Sequence, residues 1–463
     1  MAARSAGEAR RAAGAISLAG QALPHRRKGR RALPFGRAAA REAGTERRPD
    51  TKETTMPQTK LQRQFDKLYT PATVALSAVI FALLSLYESI PHGSALTMLL
   101  TGALCLLTLL KRELRFRWTA MHTCLGALVA YCFLSSLWAW NTRLTHSMAI
   151  SLLKTMLLFF LLLLCFHREE SSTRLLQAIM WGGNLVLLYI IAHYGPLTLI
   201  GWLQTNVRIP NDYMNANDMG MVAAIAAIIN LQYVLDRKRL KWWDIMMLLD
   251  IFMIAVSYSK KAILFLGAGF FFLLLMFELA HKNRKKHLLI FAVIVLAAAF
   301  LLLTLPIFEG LRTRIRLSVL TLLGLSETDY STAARAEYIR IGLRQFRQTP
   351  LLGIGMGDSI LLGAVYQGRA VYLHSNYVEL LACGGLVGFI CYYALPAYLL
   401  YQLLRYRAFC DGEFKVCLVL LVLLLCMDFA MVSYYSKSIY FYFLLLYCCT
   451  QRLKAQATRR GAQ

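Results

Sequence analysis

The chain has 463 residues, of which 58% are hydrophobic and only 16% charged, with a formal net charge of +26. Soluble domains run at about 45–50% apolar and about 25% charged, so this balance excludes an ordinary soluble globular protein and indicates a membrane protein. The cations do not point to nucleic acid: they fall in short clusters between apolar runs, and no nucleic-acid reader module is visible.

Residues 1–55 are rich in Arg and Ala and have no long apolar run. They are expected to be a disordered basic N-terminal extension, either a dispensable arm or a mis-assigned start. No apolar core follows the charges, so they do not read as a secretory signal. Met56 opens a segment typical of the start of a membrane protein.

A helix needs about 20 apolar residues to cross a bilayer. Twelve stretches qualify: 71–90, 94–110, 119–140, 148–166, 174–194, 218–235, 242–258, 262–279, 288–306, 376–404, 414–434 and 437–451. Backbone groups cannot go unpaired in lipid, so these stretches must be helices. The expected fold class is all-α: a polytopic integral membrane protein of about twelve transmembrane helices. Residues 56–306 carry the first nine and 374–451 the last three, with 452–463 as a cytoplasmic tail. Ten of the eleven cysteines lie in apolar runs and none forms Cys-x-x-Cys, so they read as small apolar filler.

Connections 111–117, 167–174, 236–241, 281–287 and 405–415 are basic, whereas 91–93, 141–147 and 195–217 carry few cations. The positive-inside rule then places both termini in the cytoplasm. Residues 307–373 form one long extracytoplasmic loop with eight arginines, and long loops escape the charge rule. Within it a helix is expected over 333–348, between Ser331-Thr332 and Thr349-Pro350. Ile339, Leu343 and Phe346 fall on one face, and Arg340, Arg344 and Arg347 on another, as in a helix lying on a membrane surface.

Ionisable residues at membrane depth are functional candidates, with a structural ion pair or a snorkelling Lys as the plain alternative. In this topology Lys154, Glu379 and Asp428 fall in the outer halves of their spans. Lys260 and Lys261 fall at an outer end, and Asp250 near mid-bilayer. His374 stands where the long loop meets the tenth span, ahead of Ser375-Asn376-Tyr377 and Glu379. It can either exchange protons near neutral pH or cap the helix.

Three stretches resemble the O-antigen ligase and polysaccharide polymerase superfamily of bacterial envelope biosynthesis. They are Val256-Ser257-Tyr258-Ser259-Lys260-Lys261-Ala262; Arg335 with Tyr338-Ile339 and Thr349-Pro350-Leu351-Leu352-Gly353-Ile354-Gly355-Met356-Gly357; and Leu373-His374-Ser375-Asn376-Tyr377-Val378-Glu379 followed by Gly384-Gly385. Asn217, just before the sixth span, also looks like the family pattern, and the likeness covers roughly 210–395. Lys260 stands where the family has Arg, and Lys lacks the bidentate fork for phosphate.

The resemblance implies a polyprenyl-diphosphate-linked glycan donor, used at the outer face of the bacterial cytoplasmic membrane. Arg335 and Lys260 or Lys261 would then hold the diphosphate, assisted by Arg340 and Arg344. His374 would be the general base, with Glu379 orienting or replacing it. Asn217, Asn376 and Tyr377 would contact the acceptor or hold the site together. No Asp-x-Asp occurs, so neither metal nor cofactor is expected. The acceptor, whether glycan, lipid or protein, stays open, as does polymerase against ligase. The rival class is a transporter or flippase of lipid-linked oligosaccharide, although the halves show no repeat. Gly353-x-Gly355-x-Gly357 reads as a tight turn rather than a dinucleotide fingerprint. Trp242-Trp243-Asp244 reads as an interface anchor.

Overall fold

The computed structural model describes residues 60–86, 90–205, 207–279 and 330–461, with isolated positions between 289 and 325. Apart from those positions, the expected extension 1–55, the ninth span 288–306 and the loop segment 307–329 lie outside the described residues.

Every regular element among the described residues is helical. The first half holds α1 (Lys60–Ser85), α2 (Gly93–Leu110), α3 (Ala120–Ser135), α4 (Thr142–Cys165), α5 (Ser171–Tyr194), α6 (Pro196–Gln204) and α7 (Ala216–Arg237). Then come α8 (Met246–Ser257), α9 (Lys260–Glu278), α10 (Tyr330–Gln348), α11 (Ser359–Gln367), α12 (Asn376–Arg405), α13 (Gly412–Met427) and α14 (Lys437–Gly461). Several starts carry side-chain caps: Asn141 accepts from Leu144 N, Ser259 from Ala262 N, and Asp411 from Phe414 N.

Among the described residues, seven helices are long and apolar enough to cross a membrane: α1 from Lys67, α2, α4, α5, α7, α9 and α12. The architecture is that of an all-helical polytopic membrane protein. Other expected spans are shorter, with α3 and α13 at 16 residues and α8 at 12. Helix α14 starts apolar and ends on Arg459 and Arg460. Helix α6 lies in the connection expected over 195–217; Pro196 at its first turn explains the start, since proline lacks the N–H that a first turn leaves unpaired.

Helix α5 is gripped from two sides. A Cβ at Gly182 would meet the Ala78 carbonyl oxygen of α1 at 2.5 Å, and one at Gly183 the Ala226 Cβ of α7 at 3.1 Å. Small residues allow such backbone approach where lipid gives helices no hydrophobic drive to associate. Helix α7, rich in Ala and Ile, is buried along most of its length and packs on α5, α8 and α9. Helix α14 packs on α5, α12, α1, α13 and α4, while α12 packs on α3 and α10.

Ion pairs gather at the basic connections. Arg452 bonds Asp411 at 2.5 and 2.9 Å and pairs with Glu413 at 3.3 Å, and Arg459 pairs with Glu169 at 2.6 Å. Arg237 bonds Asp244 at 2.7 Å, and Trp243 lies under both Arg237 and Lys241.

The segment after α10 is locked into a break in α12. Gly385 has φ 59 and ψ −162, so the helix interrupts itself there. The Ile354 and Gly355 N–H groups donate to the Ala382 and Cys383 carbonyls at 3.2 and 2.9 Å. The Leu386 and Val387 N–H groups donate to the Pro350 and Leu351 carbonyls at 2.9 and 3.2 Å. Tyr131 of α3 donates to the Leu352 and Gly384 carbonyls at 2.9 and 2.6 Å. Gly353, Gly355 and Gly357 all have positive φ, the conformation of the tight turn read from their spacing.

Helix α10 buries a face one position away from the one read in the sequence. Tyr338, Ile341, Gly342 and Gln345 are buried, while Leu343 is exposed. Gly342 sets this rotation: a Cβ there would fall 2.4 Å from Val378 Cγ1 of α12, so this glycine is where the two helices meet.

Gly353→Ala is expected to destabilise the protein more than Gly368→Ala. Both have positive φ, which costs about 1–2 kcal/mol for an L residue. Only at Gly353 would the new Cβ also strike backbone, the Cys383 carbonyl at 2.3 Å, whereas Gly368 faces open space. Thermal unfolding of the detergent-purified variants checks this; equal midpoints would deny the locking role of the 350–357 turn.

Candidate functional site

The turn between α8 and α9 is built by its hydroxyls. Ser257 Oγ donates to the Ile254 carbonyl at 2.6 Å and accepts from Ser259 N at 3.1 Å. Tyr258 takes φ 49 and donates its hydroxyl to the Leu203 carbonyl at 2.9 Å. Ser259 Oγ donates to Asn217 Oδ1 at 3.0 Å, tying the turn to the start of α7. This arrangement puts Lys260 and Lys261 in the first turn of α9, both half-buried. The Lys261 ammonium donates to the Ala430 carbonyl beyond α13.

Arg335 lies half-buried on α10, on the same side as Tyr338. Its charge and that of Lys261 both act on His374. His374 sits just before α12 with φ 59, a left-handed conformation uncommon for a non-glycine residue. Its ring lies 4.3 Å from that of Tyr372 and 5.6 Å from that of Tyr338, centre to centre. Burial, then the charges of Arg335 and Lys261, push its pKa down to about 4. The imidazole is therefore neutral at pH 7, and one ring nitrogen is free of a proton.

Glu379 is buried in the first turn of α12 and accepts from the Leu373 N–H at 2.9 Å. It thus holds the backbone on which His374 is presented. Asn376 is fully buried and latches α12 to the segment after α13. Its Oδ1 accepts from Ser433 N and Tyr434 N at 2.9 and 3.0 Å, and its Nδ2 donates to Tyr393 Oη and Asp428 Oδ2 at 2.9 and 3.3 Å. Asp428 also accepts from Tyr393 at 2.8 Å and Ser433 at 2.6 Å. Tyr377 stacks on Tyr393 at 4.8 Å and donates to the Leu425 carbonyl at 2.9 Å.

Other candidates lie apart from this cluster. Arg340 and Arg344 are exposed, about 140° and 180° around α10 from Arg335 at 3.6 residues per turn. Arg340 pairs with Glu337 at 2.6 Å. Asp250 is buried in α8, and neither of its carboxylate oxygens has a hydrogen-bond partner among the described residues. Lys154 is exposed on α4.

The structure also brings in residues that the sequence reading passed over. Arg208 donates to the Ser257 carbonyl at 3.3 Å, and with Asp218 and Arg335 it acts electrostatically on Lys261. Arg208 is the single cation of the 195–217 connection, and Asp218 follows Asn217 directly. Both were signals in principle, the one cation of a connection and a charge at a span's edge.

Asn376→Ala is expected to lower the thermal midpoint sharply, since it leaves two buried N–H groups and Asp428 short of partners at about 1–3 kcal/mol each. Tyr377→Phe, losing one hydrogen bond, should cost only about 1 kcal/mol. Unfolding curves in detergent measure both, and an Asn376→Ala protein as stable as wild type would dismiss the latch.

No curated protein matches the chain significantly. Residues 245–393, about a third of the chain, match the family model described as O-Antigen ligase. The match runs from the start of α8 into α12 and holds Lys260, Lys261, Arg335, His374 and Glu379. The turn before α9, the buried face of α10 and the histidine ahead of α12 all fall within this one matched region, whose likeness to the O-antigen ligase family agrees with the resemblance read in the sequence.

Proposed function

We propose that the protein is a membrane glycosyltransferase, a polymerase or ligase, that moves a glycan from a polyprenyl-diphosphate carrier to an acceptor at the outer face of the bacterial cytoplasmic membrane. About twelve spans and two cytoplasmic termini complete this reading. The observation that carries it is the convergence of Arg335 and Lys261 on His374 inside the matched domain. Among the described residues neither cation forms a salt bridge with a carboxylate, which suits a diphosphate, since charge-assisted bonds to phosphate are the strong ones. Lys261 takes this role ahead of Lys260, because its charge acts on both Arg335 and His374. Arg208 lies within the same field.

The reaction balances with these groups alone. The acceptor hydroxyl oxygen attacks the anomeric carbon, and the bond from that carbon to the diphosphate breaks. The diphosphate leaves with the electron pair, held by Arg335 and Lys261. The hydroxyl proton passes to the free ring nitrogen of His374. Glu379 and Asn376 keep that histidine in place from behind, and fixed cations do the work given elsewhere to a metal.

The same charges couple binding to base strength. A diphosphate seated between Arg335 and Lys261 offsets their repulsion of an imidazolium. The His374 pKa then climbs from about 4 toward its ordinary value near 6.5. The histidine becomes a competent base when the donor is present.

Purified protein given polyprenyl-diphosphate-linked glycan and acceptor should form a new glycosidic bond, and full activity in well-folded His374→Ala would reject the base. Transfer that persists in chelator would support fixed cations. Movement of the lipid across a vesicle with no new bond would decide for the flippase reading.

Arg335→Gln should cut kcat by about 10²–10³-fold, the loss typical of one charge-stabilising donor, while Arg340→Ala and Arg344→Ala stay near wild type. The pH profile adds a signed test. Arg335 depresses the His374 pKa, so removing it raises that pKa. The acid limb of kcat/KM, which reports the free enzyme, should move to higher pH in the residual activity of Arg335→Gln. An unmoved limb would show that another group is titrating.

A further inference from the structure

Helix α4 is one of the seven helices suited to crossing a membrane, yet one of its faces is polar over three turns. Thr142, Arg143, His146, Ser147, Ser151 and Lys154 line a groove of about 780 Å³ along it. Their spacing of three or four residues keeps them on a single stripe. Arg143, His146, Ser147 and Lys154 are exposed, and none of the three basic residues pairs with a carboxylate among the described residues.

Depth makes this stripe unusual. Lys154 stands midway along a 24-residue helix, about 18 Å from its start at 1.5 Å per residue. Counted from residue 148, where the apolar stretch begins, it lies about 9 Å inside that stretch. An unpaired cation there is costly, so it needs a counter-charge that reaches it inside the bilayer. The stripe runs from the connection 141–147 into the apolar stretch, where a lipid headgroup drawn in laterally can supply that charge. The three hydroxyls between and above the cations match a headgroup that carries hydroxyls of its own.

The open end of the groove is fixed to the rest of the molecule. Asp358 Oδ2 accepts from Asn141 N at 2.9 Å, and Trp140 N donates to the Ile354 carbonyl at 2.9 Å. The start of α4 therefore sits against the turn that locks the break in α12. The groove itself shares no residue with the cluster around His374.

We propose that the α4 groove is a second binding site, for one phosphate-bearing lipid with a hydroxylated headgroup. Lys154 and Arg143 neutralise the phosphate, and His146 and the three hydroxyls bind the headgroup. The assignment does not depend on the reaction proposed above.

The test is native mass spectrometry of the full chain in neutral detergent, titrated with phosphatidylglycerol and, as a control, phosphatidylcholine. Wild type should retain one phosphatidylglycerol in preference to phosphatidylcholine. Arg143→Gln with Lys154→Gln should weaken retention at least tenfold. Lys154→Gln alone should weaken it as well, Lys154→Arg should keep it, and Arg407→Gln, an exposed cation elsewhere, should change nothing. Because the substituted side chains are exposed, thermal midpoints near wild type are expected. Four results would overturn the proposal: undiminished binding in the double variant, no preference over phosphatidylcholine, displacement of the lipid by millimolar glycerol phosphate, or a wild-type dimer that the double variant splits.

Discussion

The site rests on one constraint: a helix cannot be interrupted in apolar surroundings unless every freed backbone group finds a partner. The break at Gly385 releases carbonyls on one side and N–H groups on the other. The segment 350–355 supplies the missing partners for both, in a ladder of four hydrogen bonds. Tyr131 closes the arrangement from α3. Because that segment follows α10 directly, the same ladder fixes where α10 ends and which of its faces meets α12. Arg335 is brought toward His374 by backbone pairing at the far end of its own helix.

Around that scaffold the charges are disposed unevenly. At the basic connections, Arg452, Arg459 and Arg237 each find a carboxylate, and the pairs staple neighbouring helices together. Near the turn before α9, Lys261 is surrounded by Arg208, Arg335 and Asp218, an excess of like charge. Like charges held together by the fold store repulsion that an incoming anion relieves. The buried carboxylates nearby are engaged otherwise: Glu379 with a backbone N–H, and Asp428 with two hydroxyls and an amide.

Much of this was legible in the sequence, for definite reasons. Spans announce themselves because lipid demands long apolar helices, and α2, α4, α5, α7, α9 and α12 follow the expected stretches closely. The glycines at 353, 355 and 357 announced a turn because positive φ selects glycine. Other features were hidden. The rotation of α10 depends on Gly342 meeting Val378, a long-range contact that no local period encodes. The expected stripe through Ile339, Leu343 and Phe346 followed apolarity, whereas the buried one follows fit. Asn376 and Tyr377 could not be told from ligand-binding residues, since their partners Asp428, Ser433 and Leu425 lie about fifty positions away. Arg208 and Asp218 join the cluster only through the turn that Ser259 and Asn217 hold.

The left-handed backbone of His374 limits what could ever replace it. Glycine, asparagine and aspartate tolerate that region, while β-branched residues resist it strongly. Most other side chains would cost about 1–2 kcal/mol there, so a library randomised at this position would sort partly by stability and only partly by chemistry. Asparagine is then the informative replacement, because it keeps the backbone and a polar tip while abolishing proton exchange.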